Sequence, residues 1–272
     1  MGRTEEAFMP ADMVRRVLAA AGTDVVLVGG QALAFWMDRY GIEPTDTSVP
    51  AVTRDVDFFT HDAAQGRSLH AFAKAIGGQP AFATPEAITA LVGSAVAPAE
   101  PGRVYNVDLL HSVVGLKRKA LVENAVHVEL PGLASELRVM HPLDVLQSRN
   151  ANLHTLADKQ DAVGQMQLRL AIKVARRYLE ETIDGIETSR LAARAIERAT
   201  LDAIGGVIGY ASEDAAKKNA ARYGIHLADT IPAWRVRSAT FWTRQWPHVR
   251  ERMSPGYAAR CELLAGRKPT QD

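Results

Sequence analysis

The feature that most constrains the fold is a run of four aliphatic residues, Val25-Val26-Leu27-Val28, which ends in Gly29-Gly30. Four consecutive β-branched or leucine residues without polar alternation are typical of a strand buried on both faces. The two glycines allow a tight turn directly after this strand, because glycine enters left-handed backbone conformations at little cost. Helical spacing follows from Ala32 to Tyr40. The sequence therefore predicts a buried strand, a glycine turn and a helix in direct succession.

A second predicted strand carries two carboxylates. Period-two alternation places Asp55 and Asp57 on one face, and it directs Val56 and Phe58 into the core. A third carboxylate, Asp108, lies in a later apolar strand. An Asp-x-Asp triplet alone is common by chance, so the apolar context and the third acid are the informative features.

The convergence of three carboxylates is unfavourable without a cation. Two carboxylates ~4 Å apart repel each other by about 4 kcal/mol at an effective dielectric constant of 20. Mg²⁺ prefers carboxylate and phosphate oxygens, and paired metal ions can activate an attacking hydroxyl and stabilise a leaving pyrophosphate. Gly29 and Gly30 would let backbone N–H groups and the following helix N-terminus approach a triphosphate.

Simpler interpretations of the same residues remain open. Gly29-Gly30 is also compatible with a plain tight turn. Asp55 and Asp57 are compatible with a solvent-facing edge strand, and Asp108 with an edge-strand acid beside His111.

The remaining pattern indicates an α/β region over 1–140 and a helical region over 141–272. Further strands are predicted near 80–84, 90–96, 103–110, 125–130 and 137–140. Residues 42–53 read as an exposed loop, because they combine prolines, acids and Ser/Thr residues. Helices are expected over roughly 142–156, 159–181, 188–209, 213–222, 235–252 and 255–265.

Composition narrows the class of protein. The 272 residues suffice for one large or two modest domains, and a net charge of +1 predicts no strong steering to nucleic acid or membrane. The single cysteine, Cys261, excludes an internal disulfide, and the scattered histidines do not suggest a zinc site. Because the N-terminus lacks a signal-peptide pattern and no run approaches ~20 apolar residues, we expect a cytoplasmic protein without membrane spans.

The order strand, Gly-Gly, helix, Asp-x-Asp strand and later Asp strand resembles the DNA polymerase β-like nucleotidyltransferase superfamily over roughly residues 20–160. The resemblance implies an α/β (α+β) nucleotidyltransferase fold with a mixed sheet, followed by a helical C-terminal region. It also implies an enzyme in which Gly29 and Gly30 bind the nucleotide phosphates. Asp55, Asp57 and Asp108 would be the catalytic residues and the metal ligands for Mg²⁺, in a two-metal site with an NTP as substrate.

Within this superfamily, Gly-Gly-Gln-Ala-Leu and Thr-Arg-Asp-Val-Asp are most similar to the AbiEii-type abortive-infection toxins. The gap from Gly30 to Asp55 is longer than is usual there. The family's helical lysine and its Lys-Asp pair correspond here to Arg149 and to Lys159-Gln160-Asp161, so Arg149 and Lys159 are predicted to bind nucleotide. This resemblance implies a toxin of a toxin–antitoxin or phage-defence system, with an antitoxin partner and an RNA, tRNA or protein acceptor.

Two other functions remain open. The chain is also compatible with a nucleotidyltransferase-fold binding protein of weak or lost activity, or with an enzyme that modifies a small molecule such as an aminoglycoside antibiotic. A segment from Trp234 to Arg252 interleaves aromatic and basic residues. That pattern is compatible with RNA stacking and, at helical spacing, with core packing.

Overall fold

The computed structural model describes residues 5–44, 55–62, 66–84, 88–130 and 136–268. The chain divides into two compact units, of which the first comprises residues 1–38 and 44–148 and the second residues 39–43 and 149–272. Most of the loop predicted at 42–53, namely residues 45–53, lies outside the described residues.

The first unit is built on a mixed eight-stranded sheet, which confirms the predicted α/β class with a mixed sheet. The strands are β1 (Glu5–Glu6), β2 (Val25–Val28), β3 (Val56–Thr60), β4 (Gln79–Phe82), β5 (Leu91–Pro98), β6 (Arg103–Leu110), β7 (Val126–Val128) and β8 (Leu137–Val139). The central path of the sheet runs β4-β5-β6-β3-β2-β8-β7, and β1 pairs with β6 in parallel.

The apolar run at β2 lies in the interior of this sheet. All four of its residues are buried, between antiparallel β3 on one side and parallel β8 on the other. β3 lies between β2 and β6, and β6 lies between β3 and β5. The interpretation of the aspartate strands as solvent-facing edge strands is therefore wrong, because both strands have partners on each side.

The two faces of β3 have different roles. Val56 and Phe58 are fully buried, as predicted, and the Phe58 ring stacks on Phe72 of a helix, α3 (Arg67–Ile76), at a centroid distance of 4.5 Å. By alternation along the strand, Asp57 faces the opposite side. The helix thus covers one face of the sheet, and the carboxylates lie on the other.

The C-terminal region is helical, as predicted. The remaining helices of the described chain are α1 (Ala11–Ala20), α2 (Gly29–Tyr40), α4 (Arg118–Asn124), α5 (Pro142–Thr155), α6 (Ala162–Glu187), α7 (Ala193–Ser212), α8 (Asp214–Tyr223), α9 (Trp246–Arg250) and α10 (Pro255–Leu264). Within the described ranges, no helix combines the length and the apolar character that crossing a bilayer requires.

The helix predicted over 235–252 is confirmed only from residue 239 to Arg250, where a π-helical segment at Phe241–Gln245 leads directly into α9. Residues 236–238 are not helical, and Ala233–Arg235 forms a separate 3₁₀ turn. Pro247, which has no N–H, lies in the first turn of α9. Phe241, Trp242 and Trp246 are buried, which identifies this segment as core rather than as a stacking surface for RNA.

Candidate metal site

The three predicted carboxylates meet on one face of the sheet. Asp57 in β3 and Asp108 in β6 are direct partners in the parallel register, and Asp55 lies at the bend before β3. Each of the three offers one carboxylate oxygen, and these oxygens lie within 4.8 Å of one another. All three side chains are half-buried. The arrangement is a cluster of hard oxygen donors that could hold a metal ion.

Asp108 is fixed by two neutral donors. Ser94 Oγ, on the neighbouring strand β5, donates to Asp108 Oδ1 at 2.5 Å, and Asn106 Nδ2 donates to the same oxygen at 2.9 Å. Burial raises the pKa of Asp108, the two hydrogen bonds oppose that rise, and the charge of Asp55 adds to it. Both donors bind Oδ1, so neither of these hydrogen bonds occupies Oδ2.

Gly29 brings the start of α2 against the Asp57 carboxylate. It follows β2 directly and has a φ of +67°, in the left-handed region that favours glycine. A Cβ at this position would lie 2.0 Å from Asp57 Oδ2, so any other residue would displace that carboxylate. The positive end of a helix dipole stabilises a nearby anion, so Asp57 gains a favourable environment for its charge.

The site therefore fits a bound cation in two ways. Its donors are all carboxylate oxygens, which a divalent ion binds well, and their mutual repulsion is relieved by positive charge. The absence of a side chain at Gly29 lets the Asp57 carboxylate pack against the start of α2 and join the cluster, from which any Cβ would displace it.

Comparison of the chain with protein-family models, curated proteins and solved structures finds no match. The resemblance to the nucleotidyltransferases thus stays a prediction, and it rests on the motifs themselves.

The other residues predicted to bind nucleotide have different surroundings. Gly30 is buried in the first turn of α2, next to Gly29. Arg149 belongs to the second unit, where its side chain is 6% exposed and its Nη1 donates to Gln167 Oε1 at 3.0 Å. Lys159 lies in a 3₁₀ turn of the same unit and forms an ion pair with Asp158 at 3.5 Å. A role for these residues in nucleotide binding stays a prediction.

Sequence reasoning missed the residues that support Asp108. Asn106 was detectable, because residues two apart on a strand share a face. Ser94 was not, because its place opposite Asp108 depends on the pairing of β5 with β6.

A buried polar group at the start of α5 was also missed. Asp144 accepts hydrogen bonds from Asn124 Nδ2, and burial raises its pKa to about 6. Burial lowers the pKa of the neighbouring His141 to about 4, and His141 Nδ1 accepts a hydrogen bond from the Leu143 N–H.

Proposed function

We propose that this chain is a Mg²⁺-dependent nucleotidyltransferase of the DNA polymerase β-like superfamily. The observation that carries the proposal is the convergence of Asp55, Asp57 and Asp108 beside the glycine turn that begins α2. Three carboxylates on neighbouring elements, next to a helix N-terminus, suit a metal-bound triphosphate. The substrate would be an NTP, and the reaction would take place in the cytoplasm.

In the proposed reaction, an acceptor hydroxyl oxygen attacks the α-phosphorus of the NTP. The bond from that phosphorus to the bridging oxygen breaks, and pyrophosphate leaves. Asp55, Asp57 and Asp108 would hold two Mg²⁺ ions, which supply charge stabilisation for the attacking and leaving oxygens. The backbone at Gly29 and Gly30 would bind the phosphates.

Asp108 is the best candidate for accepting the proton of the attacking hydroxyl. Asp108 belongs to the carboxylate cluster, and a base must lie within hydrogen-bond reach of the proton that it accepts. Ser94 and Asn106 orient Asp108 through Oδ1. The residues of the chain would thus position the reactants and accept the proton of the hydroxyl. Positioning is a main catalytic contribution in phosphoryl transfer generally.

The test is incorporation of label from α-phosphate-labelled NTPs into RNA, tRNA, protein or aminoglycoside acceptors, with Mg²⁺ and the purified full chain. The double variant Asp55→Asn and Asp57→Asn is expected to lose at least about 100-fold in rate, since charge stabilisation is usually the largest single catalytic contribution. Its matched control is Asp12→Asn with Asp202→Asn, which removes two exposed carboxylates. Equal incorporation by both double variants would refute the proposal.

One observation favours a second function, that of a nucleotide-binding protein without turnover. Where the toxin family carries a lysine, this chain has Arg149, which is buried and bonded to Gln167. An arginine is also a poor proton acceptor. Calorimetry would then detect Mg²⁺·NTP binding that depends on Asp55 and Asp57, while no acceptor becomes labelled.

The resemblance to the AbiEii-type toxins extends the proposal to the role of the protein in the cell. We propose a toxin of a toxin–antitoxin or phage-defence system, with an antitoxin protein as partner. Co-purification of the product of the adjacent gene with the tagged chain tests this part.

A further inference from the structure

The second unit contains a pocket that the proposed chemistry does not use. Its volume is about 410 Å³, within the range of roughly 300–1,000 Å³ that is typical of small-molecule sites. It lies between the C-terminal half of α5, the chain at Gln160 and the helix α8. Its lining residues are Leu153, His154, Gln160, Lys218, Asn219, Ala221, Arg222 and Tyr223.

The residues that line the pocket include two positive charges and no carboxylate. Lys218 and Arg222 are exposed and four residues apart on α8, so they project from the same face of the helix. Like charges at this spacing destabilise a helix. Neither residue forms an ion pair with a described residue, and none of the lining residues named above is a carboxylate. An anion in the pocket would relieve this repulsion.

The guanidinium of Arg222 is already oriented. Its Nη1 donates to Gln160 Oε1 at 3.2 Å, and Gln160 Nε2 in turn donates to the His154 carbonyl oxygen at 3.0 Å. Arg222 also lies over the Tyr223 ring, at 5.1 Å from its centroid. A guanidinium held in this way loses less conformational freedom when it binds an anion, and its planar fork suits phosphate oxygens.

The pocket is lined in part by buried side chains, one of which is apolar. Leu153 and Asn219 are buried, and the Asn219 side chain donates both to the carbonyl oxygen and to the Oδ1 of Asn150. Together with the Tyr223 ring, Leu153 provides an apolar wall next to the cations. This combination suits an anionic group attached to a less polar body.

We propose that this pocket binds the phosphate group of a nucleotide, with Lys218 and Arg222 as its contacts. The phosphate belongs either to a free nucleotide or to a nucleotide within RNA, which present the same chemistry. The inference is independent of the proposed transfer reaction, because it uses none of the carboxylates of the first unit.

The test is calorimetric binding of AMP, inorganic phosphate, adenosine and a short single-stranded RNA to the full chain in EDTA. The chelator removes binding that depends on a divalent ion at Asp55, Asp57 and Asp108. AMP or RNA is expected to bind the wild-type chain at least about ten-fold more tightly than adenosine, which lacks the phosphate.

The double variant Lys218→Gln and Arg222→Gln is expected to weaken that binding at least about ten-fold and to reduce its salt dependence. Its matched control, Lys119→Gln with Arg198→Gln, removes the same charge from two residues that are 84% and 86% exposed. Circular dichroism of both variants verifies folding. Binding of AMP and phosphate identifies a free nucleotide as ligand, whereas binding of RNA alone identifies RNA.

Three results would overturn the inference: no binding of any phosphate-bearing probe to the wild-type chain, equal affinity for adenosine and AMP, or equal losses in the two double variants. Retained phosphate binding in the Asp55/Asp57 variant, with loss of nucleotidyl transfer, would show that phosphate binding in this pocket does not depend on the proposed active site.

Discussion

At the scale of single residues, Gly29 is the most constrained position of the candidate site. It combines a φ of +67° with contact to Asp57, whereas Gly41 has a φ of +60° and no atom within 4 Å of an added Cβ. The two glycines therefore separate the cost of backbone strain from the cost of a collision. Gly41→Ala is expected to cost about 1–2 kcal/mol of unfolding free energy through strain alone.

Gly29→Ala is expected to cost more than Gly41→Ala and to weaken Mn²⁺ binding at least about ten-fold, because the new Cβ would displace Asp57. Denaturant unfolding and metal titration measure the two effects. If both variants bind Mn²⁺ as the wild type does, the glycine does not shape the metal site.

The substitution Asp108→Asn is expected to change thermal stability in opposite directions without and with bound metal. At pH 8 without metal, Asp108→Asn is expected to melt at a higher temperature than the wild type, because burial disfavours the Asp108 charge and Asp55 repels it. With metal at ~100 times its dissociation constant, the wild type should gain about 2.7 kcal/mol, or about 5–10 °C, and the variant should gain little.

Thermal melts with and without Mg²⁺ measure both differences. If Mg²⁺ raises the melting temperatures of the wild type and of Asp108→Asn equally, Asp108 is not a metal ligand. Asp202→Asn, on the exposed surface of α7, is the control for loss of one charge.

Asp144 predicts a dependence of stability on pH. Because burial raises its folded pKa from 3.8 to about 6, its carboxyl favours the folded state below pH 4, and that contribution is lost as the pH rises through 6. Between pH 4 and pH 8, the stability of the wild type should fall relative to Asp144→Asn by up to about 3 kcal/mol. Urea unfolding at both pH values checks this.

The opposite contribution of His141, whose pKa burial lowers to about 4, is present in both proteins and cancels in the comparison. If the difference in unfolding free energy between Asp144→Asn and the wild type does not change with pH, the pKa of Asp144 is not raised.

At the scale of elements, the sheet and α3 support the site from the face opposite to the carboxylates. Phe58 is fully buried against Phe72, and its neighbour in the strand is Asp57. Phe58→Ala is expected to cost about 3–5 kcal/mol through the cavity that it leaves. It should also weaken metal binding, because β3 would lose its anchor on α3.

The control is Phe82→Ala on β4, where the side chain is 50% exposed and a change within about 0.5 kcal/mol is expected. Denaturant unfolding of both variants tests the difference. If Phe58→Ala and Phe82→Ala lose comparable unfolding free energy, the stacking of Phe58 on Phe72 does not anchor β3.

Local patterns predicted most elements. Apart from β1, which was not predicted, the strands of the sheet appear within a few residues of their expected positions, because alternation and apolar runs are properties of short stretches. The support of Asp108 by Ser94 was not predictable, because it depends on a register that shifts between Leu91 and Gly93. An irregularity of this kind changes which residues face each other across two strands, and neither strand reveals it alone.

The segment at 235–252 was predicted only in part. Its helical spacing is realised from residue 239 to Arg250, but the helix contains a π-helical segment at Phe241–Gln245, which a period of 3.6 residues does not reveal.

At the scale of the whole molecule, the proposed toxin activity predicts a growth phenotype. Induced expression of the wild-type chain in a bacterial host should arrest growth, because an unregulated nucleotidyltransferase would modify its acceptors continuously. Asp55→Ala with Asp57→Ala should restore growth, and the surface pair Asp12→Asn with Asp202→Asn should not. Growth curves at matched protein levels measure the outcome, and continued arrest by the Asp55/Asp57 variant would contradict the assignment.

The path of the chain between the two units has a consequence for synthesis. Residues 39–43 belong to the second unit, yet the rest of that unit begins only at Arg149. At translation rates of ~5–20 residues per second, the partners of Tyr40 emerge roughly 5–20 s after it does. The contacts of this segment with its own unit can therefore form only after residues 44–148 of the first unit have been synthesised.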